Sequence, residues 1–185
     1  MIYIIPTDTC FWIASAIDDY KNYEKIYKIK KRDLSKPLAI LIQDFNWLKS
    51  NTTLTNDQVN LLMKYEKPFT ILTNSDYVKI WLNHEDEEWG FINRDIYQKI
   101  AFRVANNNIE KKLVKAKWPM FLTSANLSNK PEIYTQKELK DEFWYYIDKK
   151  IIELRIDNNL NPEKQTSDIF EFDWDSLDIN YLRKN

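Results

Sequence analysis
The chain has 185 residues, a net charge of −1, 44% hydrophobic residues and 15% aromatics, which is too apolar for disorder and the right size for one domain with its own core. One cysteine and one histidine exclude a disulfide framework and argue against a Cys/His zinc site or a histidine-based triad, and a single glycine excludes every glycine-rich phosphate loop. No apolar run reaches the length of a membrane span and no signal peptide is expected, so the sequence predicts a soluble cytoplasmic protein.

Residues Ile2-Tyr3-Ile4-Ile5 form a short strand-like run, broken by Pro6-Thr7-Asp8-Thr9. A proline followed by small oxygen-bearing side chains at a strand end is a turn signal and also suits a ligand platform. Phe11 to Ala16 is apolar, with Cys10 before it read as a small buried residue. Asp18 and Asp19 are N-cap candidates for a helix carrying Tyr23, Ile26, Tyr27 and Lys30 at helical spacing. That helix delivers five cations in the nine positions from Lys28 to Lys36. Cations in a last turn favour the helix dipole, and this ordinary explanation stands beside a sharper one. In the sharper one, a planar Arg fork and flexible ammonium groups converge on a polyphosphate.

After Pro37, Leu38 to Ile42 is apolar enough for a central strand. Asp44 to Ser50 and Thr55 to Lys67 read as helices, and Pro68 to Thr73 as a strand. Asn74 to Asp95 is acidic and irregular, a surface excursion in which His84 is a surface residue. Lys99 to Val104 alternates like a strand that puts Arg103 on one face with Ala101, a placement that asks for a ligand or an acid. A helix from Ile109 to Lys117 leads to the strand Met120-Phe121-Leu122, which stops in the small polar run Thr123-Ser124-Ala125-Asn126-Leu127-Ser128. Thr135 and Glu138 make a capping box for a helix through Ile147. Ile151 to Ile156, Ser167 to Phe172 and Ile179 to Arg183 complete the strands, with Asp168 to Asp178 read as a solvated acidic sheet edge. The seven Trp residues read as core or cavity lining. Strands alternating with helices predict one α/β domain over residues 1–185, a twisted mixed sheet flanked by helices.

The order of Pro6-Thr7-Asp8-Thr9, Lys30-Lys31-Arg32 with Lys36-Pro37-Leu38, Pro68-Phe69-Thr70, Phe102-Arg103-Val104, Thr123-Ser124-Ala125-Asn126-Leu127-Ser128 and Thr166-Ser167-Asp168-Ile169 resembles the YrdC-like family of threonylcarbamoyl-AMP synthases. The resemblance implies an α/β fold with a concave basic cavity. It also implies an enzyme that joins L-threonine, bicarbonate and ATP into threonylcarbamoyl adenylate, with magnesium arriving on ATP and pyrophosphate released. The product would pass to threonylcarbamoyl-transfer proteins that modify tRNA. Carried over by motif, Thr9, Arg103, Ser124 and Ser167 would bind threonine, with Arg103 on its carboxylate. Lys30, Arg32, Lys36, Asn126 and Arg183 would hold ATP, with Lys30 and Arg32 also serving catalysis. The family usually writes Tyr-Gly-Leu where this chain has Phe11-Trp12-Ile13, a Gly where Asn129 stands and a Pro where Ala105 stands.

Two other readings remain open on the residues. A non-catalytic module of the same fold could grip tRNA or double-stranded RNA through the cations of residues 21–36, with affinity falling steeply in salt. A related domain could transfer a carbamoyl group to another acceptor.

Overall fold
In a computed structural model, residues 1–82, 94–117, 119–156, 162 and 164–184 are described. His84 and the acidic run Glu85 to Glu88 lie outside the described residues. Nine strands among the described residues form one mixed sheet: β1 Ile2–Pro6, β2 Phe11–Ala16, β3 Ala39–Ile42, β4 Phe69–Thr73, β5 Ile100–Val104, β6 Met120–Ser124, β7 Ile152–Leu154, β8 Asp168–Phe172 and β9 Ile179–Arg183. Their order is β7-β1-β2-β6-β3-β5-β4-β8-β9. Strands β1 and β7, β3 and β5, and β4 and β8 pair in parallel, and the other neighbours are antiparallel.

Among the described residues six α-helices join them: α1 Tyr20–Lys30, α2 Phe45–Asn51, α3 Asn56–Met63, α4 Asp76–Leu82, α5 Asn108–Lys117 and α6 Gln136–Asp148. Asp19, Asp44, Thr55 and Thr135 cap α1, α2, α3 and α6, each accepting a backbone N–H of the first turn, which satisfies a donor the helix cannot. The apolar run Phe11 to Ala16 is a strand hairpinned onto β1. Two expectations shift. Helix α3 stops at Met63, not Lys67, which frees Tyr65 to reach the β8–β9 pair. The excursion after Asn74 begins with α4, which buries Val78.

Alternation along the strands divides the core between two sheet faces. Ile4, Ile13, Ile40, Phe102, Phe121 and Phe170 point to one face, covered by Tyr23 and Ile26 of α1, Leu48 of α2, Leu62 of α3 and Phe143 of α6. Each such fully buried side chain contributes roughly 1.5–3 kcal/mol. Ile5, Ala14, Leu41, Met120 and Leu122 point to the other face, where α5 packs through Leu113 and Val114. This second core is the smaller, and beyond α5 its sheet face carries polar side chains in place of apolar ones.

Candidate functional site
The pleat of β5 sends Phe102 into the larger core and turns Arg103 to the α5 face, beside Leu41 in register. Arg103 is 3% exposed, and a charge so buried needs partners. Its Nη2 pairs with the carboxylate of Asp8, the acid that the strand pattern calls for. Its Cζ stands 4.8 Å from the Trp12 ring centroid, in cation–π geometry. Its Nη1 is buried and has no hydrogen-bond partner among the described residues. Gln165 Nε2 donates to the Asp8 carbonyl at 3.0 Å and so ties the β1–β2 turn to the segment before β8.

That turn is closed by hydroxyls. Thr7 Oγ1 donates to the Cys10 carbonyl at 2.9 Å, lies 2.9 Å from Thr9 Oγ1 and accepts the Thr9 N–H at 3.2 Å. Trp12 Nε1 donates to Thr9 Oγ1 at 2.9 Å. Cys10 is buried, and burial pushes its thiol up to about 12, which makes it inert at neutral pH. Trp12, the residue standing where the resembled family usually has glycine, pairs with Ser124 of β6 and lies on the polar side of the sheet.

Lys30 ends α1 but does not point outward. It extends the buried spacing of Tyr23, Ile26 and Tyr27, and its Nζ donates to the carbonyls of Ser124 and Asn126, with Asn126 Oδ1 at 3.4 Å. Ser128 N–H returns a bond to the Lys30 carbonyl at 2.8 Å. Ser124 Oγ donates to Asn126 Oδ1 at 2.6 Å, and Asn126 Nδ2 donates to the Lys130 carbonyl at 2.6 Å. Burial, reinforced by the charge of Arg32, pulls the Lys30 ammonium down to about 7, while the oxygens around Nζ favour its charged form.

Past Lys30 the chain turns through Lys31, a left-handed residue at φ 50°, with Arg32 N–H bonded to the Tyr27 carbonyl at 2.9 Å. This is a Schellman-type stop built without glycine. Arg32 then folds over its own loop, Nε to the Lys36 carbonyl at 3.1 Å and Nη2 to the Pro37 carbonyl at 2.9 Å. Beneath it, Tyr27 donates to the Lys36 carbonyl at 2.8 Å and Leu38 N–H donates to Tyr97 at 3.1 Å. The loop is thus fixed from below while the Lys31 and Lys36 side chains are exposed.

At the other end of the sheet, Arg183 of β9 donates through Nε to the Ser167 carbonyl and through Nη2 to Ser167 Oγ, both at 2.9 Å. Ser167 Oγ lies 3.4 Å from Thr70 of β4. The reading of Asp168 as part of a solvated edge is corrected: β8 is an inner strand, and Asp168 is buried under the Tyr65 hydroxyl, 2.5 Å from Oδ2.

Three clusters emerge. Thr9 and Arg103 share the Asp8–Trp12 shell. Lys30, Ser124 and Asn126 form one network, next to Trp12 through the β2–β6 pairing. Ser167 and Arg183 form a third, linked toward Asp8 by the short segment that carries Gln165. Arg32 and Lys36 stay on the basic loop. A cleft of about 480 Å³ opens at Asp8, Arg103 and Gln165, and it contains neither Arg32 nor Asn126. Its lining mixes Asp44 and Glu66 with Lys67 and Lys111, so it is not basic throughout. A larger cleft of about 760 Å³, between α5 and β7, is lined by Tyr3, Leu113 and Arg155 and holds none of the expected site residues.

Sequence reasoning missed Trp12 and Gln165 as site residues, and it missed Glu110 of α5, which is 2% exposed. Glu110 Oε2 accepts the N–H groups of Asn106 at 2.6 Å and Asn107 at 3.0 Å, holding the loop that follows Arg103. Burial pushes its carboxyl up to about 7. The Asn107-x-x-Glu110 spacing was the available signal, a helix start of the capping-box type.

A mixed sheet with α1, α2, α3 and α6 on one face and α5 on the other, with polar clusters at its strand ends, defines an α/β domain. The chain belongs to the Sua5/YciO/YrdC family, whose model, described as "Telomere recombination", matches residues 1–184. It is 24% identical over 143 residues to the threonylcarbamoyl-AMP synthase of Vibrio campbellii, covering 74% of this chain and 71% of that one. The solved structure of P. abyssi Sua5 complexed with L-threonine superposes with a TM-score of 0.71 at 21% identity, over 92% of this chain. The chain spans about half the length of that protein, the match covering 47% of it. E. coli YciO superposes with a TM-score of 0.71 at 18% identity, over 99% of this chain and 82% of its own.

Proposed function
We propose that the chain is an L-threonylcarbamoyladenylate synthase that forms threonylcarbamoyl-AMP and pyrophosphate from L-threonine, bicarbonate-derived carbon dioxide and ATP. The observation that carries this reading is the Arg103 guanidinium, buried against Asp8 and Trp12 with Nη1 unpartnered among the described residues. Such a donor suits a carboxylate, which would supply a charge-assisted hydrogen bond of roughly 1.5–3 kcal/mol. The names of the Vibrio relative and the threonine-bound P. abyssi relative support the same substrate.

In this reading threonine's carboxylate meets Arg103, with Ser124 and Ser167 contributing hydroxyls around it. Its amine adds carbon dioxide and loses a proton to give a carbamate, whose oxygen attacks the α-phosphorus of ATP as the bond to pyrophosphate breaks. The nucleophile belongs to the substrate, so the protein orients reactants and stabilises charge without histidine or a thiolate. Arg32 and Lys36 on the fixed basic loop, Asn126 and Arg183 serve the nucleotide, with the Lys30 charge behind Asn126. Magnesium comes as ATP's own counter-ion, coordinated by phosphates and water. The product would go to threonylcarbamoyl-transfer proteins acting on tRNA in the cytoplasm.

The test is pyrophosphate release from purified protein with ATP, magnesium, bicarbonate and threonine, each omitted in turn. Release that needs both threonine and bicarbonate supports the reading; release independent of threonine points to another acceptor, and no ATP binding removes the enzyme reading in favour of RNA binding. Arg32→Ala should keep the melting temperature within a degree or two and lose most of the activity, because its bonds lie within a surface loop.

A further inference from the structure
We propose that Tyr27 and Tyr97, joined by Tyr23 in one buried hydroxyl cluster, are positioning residues for the nucleotide: they fix the loop carbonyls that hold the Arg32 guanidinium in its binding orientation before ATP arrives. This rests on the reading above that Arg32 and Lys36 serve ATP, and deepens it.

Tyr23 and Tyr27 stand one turn apart on α1, and Tyr97 ends the short 3₁₀ helix Arg94–Tyr97 that precedes β5. All three are 3% exposed or less. The Tyr23 hydroxyl lies 3.0 Å from both the Tyr27 and the Tyr97 hydroxyls, and the Tyr27 hydroxyl also meets the Tyr97 and Arg32 side chains. Burial pushes all three above the ordinary tyrosine value, so each keeps its proton at neutral pH. Phenylalanine would fill the same space without the cost of burying a hydroxyl, so what these groups add lies in their bonds.

Those bonds lead to the basic loop. Tyr27 donates to the Lys36 carbonyl at 2.8 Å, and the Leu38 N–H donates to Tyr97 at 3.1 Å. The Lys36 carbonyl is a shared acceptor, because it also takes the Arg32 Nε–H at 3.1 Å. Arg32 Nη2 donates to the next carbonyl, that of Pro37, at 2.9 Å. The guanidinium is planar, so bonds to two adjacent carbonyls set its plane. Tyr27 holds the first of these carbonyls directly, and Tyr97 holds the second through the N–H of the peptide that follows it. The tyrosines are buried and act through Arg32, which is half-buried, and beside Lys36, which is exposed. An arginine already held in place loses less freedom on gripping a polyphosphate than one that swings in solvent.

The experiment measures magnesium–ATP binding by calorimetry, then L-threonine binding at saturating ATP, on the intact chain, Tyr27→Phe and Tyr97→Phe, with melting temperatures in parallel. Each substitution keeps the ring and removes one hydroxyl. Each should weaken ATP about fivefold and leave threonine within about twofold. A lowered melting temperature with unchanged ATP affinity in either variant, or an equal loss for ATP and threonine, would make the hydroxyls supports of the fold alone and overturn the proposal. If the unsubstituted chain binds no magnesium–ATP, the nucleotide reading itself falls, and this inference with it.

Discussion
Among the described residues two cations are buried, Lys30 at 1% exposure and Arg103 at 3%, and they are satisfied differently. The Lys30 ammonium sits among the Ser124 and Asn126 carbonyls and Asn126 Oδ1, so all of its bonding capacity goes into joining the end of α1 to the loop after β6. The Arg103 guanidinium has a carboxylate on one nitrogen, an indole against its plane and another nitrogen without a hydrogen-bond partner among the described residues. A buried donor without a partner costs roughly 1–3 kcal/mol, a cost a ligand can relieve. The first cation is therefore chiefly a fastener, and the second is prepared to bind.

Substitution should separate the two. Arg103→Ala leaves the half-buried Asp8 without its cation and removes the carboxylate donor; we expect kcat/KM for threonine to drop by two decades or more, together with a stability loss of roughly 1–3 kcal/mol. Arg103→Lys, which keeps the charge but not the fork, should recover much of the stability and little of the activity, read from denaturant unfolding and pyrophosphate release in parallel. Lys30→Ala should act first on stability, costing about 3 kcal/mol in urea unfolding by stripping two half-buried carbonyls of their donor.

The loop behind Arg103 supplies a pH test of similar size. Glu110 has an ordinary value of 4.5 and is raised to about 7 by burial. Between these values the folded chain keeps a proton that the unfolded chain has released. Its contribution to stability is thus fully present below pH 4.5 and is lost as pH rises through 7, a swing on the order of 3 kcal/mol. Glu110→Gln retains an acceptor for the Asn106 and Asn107 N–H groups and should flatten that part of the melting-temperature profile from pH 4.5 to 8. An unchanged profile would place the titration elsewhere.

The smallest effect is expected far from the site. Lys150, at φ 55°, ends α6 by the same glycine-free stop as Lys31, with Ile151 N–H on the Tyr146 carbonyl at 2.9 Å. A side chain in that conformation is strained, so Lys150→Gly should stabilise by about 1 kcal/mol and leave activity unchanged. A lower melting temperature would show that the αL residue is relaxed.

The same contrast explains what could be read from the chain alone. Strand and helix periodicity survived where one face was apolar, as in α1 and β5, and Arg103 stood out because a charge broke an apolar alternation. β2 was harder, because Trp12 and Ala14 on one face are as apolar as Phe11 and Ile13 on the other, so no polar position marked the side that carries the site. Lys30 was legible in spacing but not in direction. It falls on the buried stripe of α1 with Ile26 and Tyr27, yet its position in a basic run suggests a solvated or phosphate-facing charge. Asp168 reads as exposed among the acids that follow it, and its burial comes from contacts distant in sequence: the inner position of β8 and Tyr65 arriving from the end of α3, over a hundred positions earlier.

The most direct measurement is a proton–nitrogen NMR titration of the indole N–H signals with L-threonine in the presence of ATP and magnesium, with the Trp12 signal assigned through Trp12→Phe. Because the Trp12 N–H is bonded to Thr9 and its ring lies on Arg103, we expect its resonance to shift and saturate with threonine and to stay still with valine at equal concentration. A Trp12 signal unmoved by saturating threonine would contradict the placement of the amino-acid site on this face of the sheet.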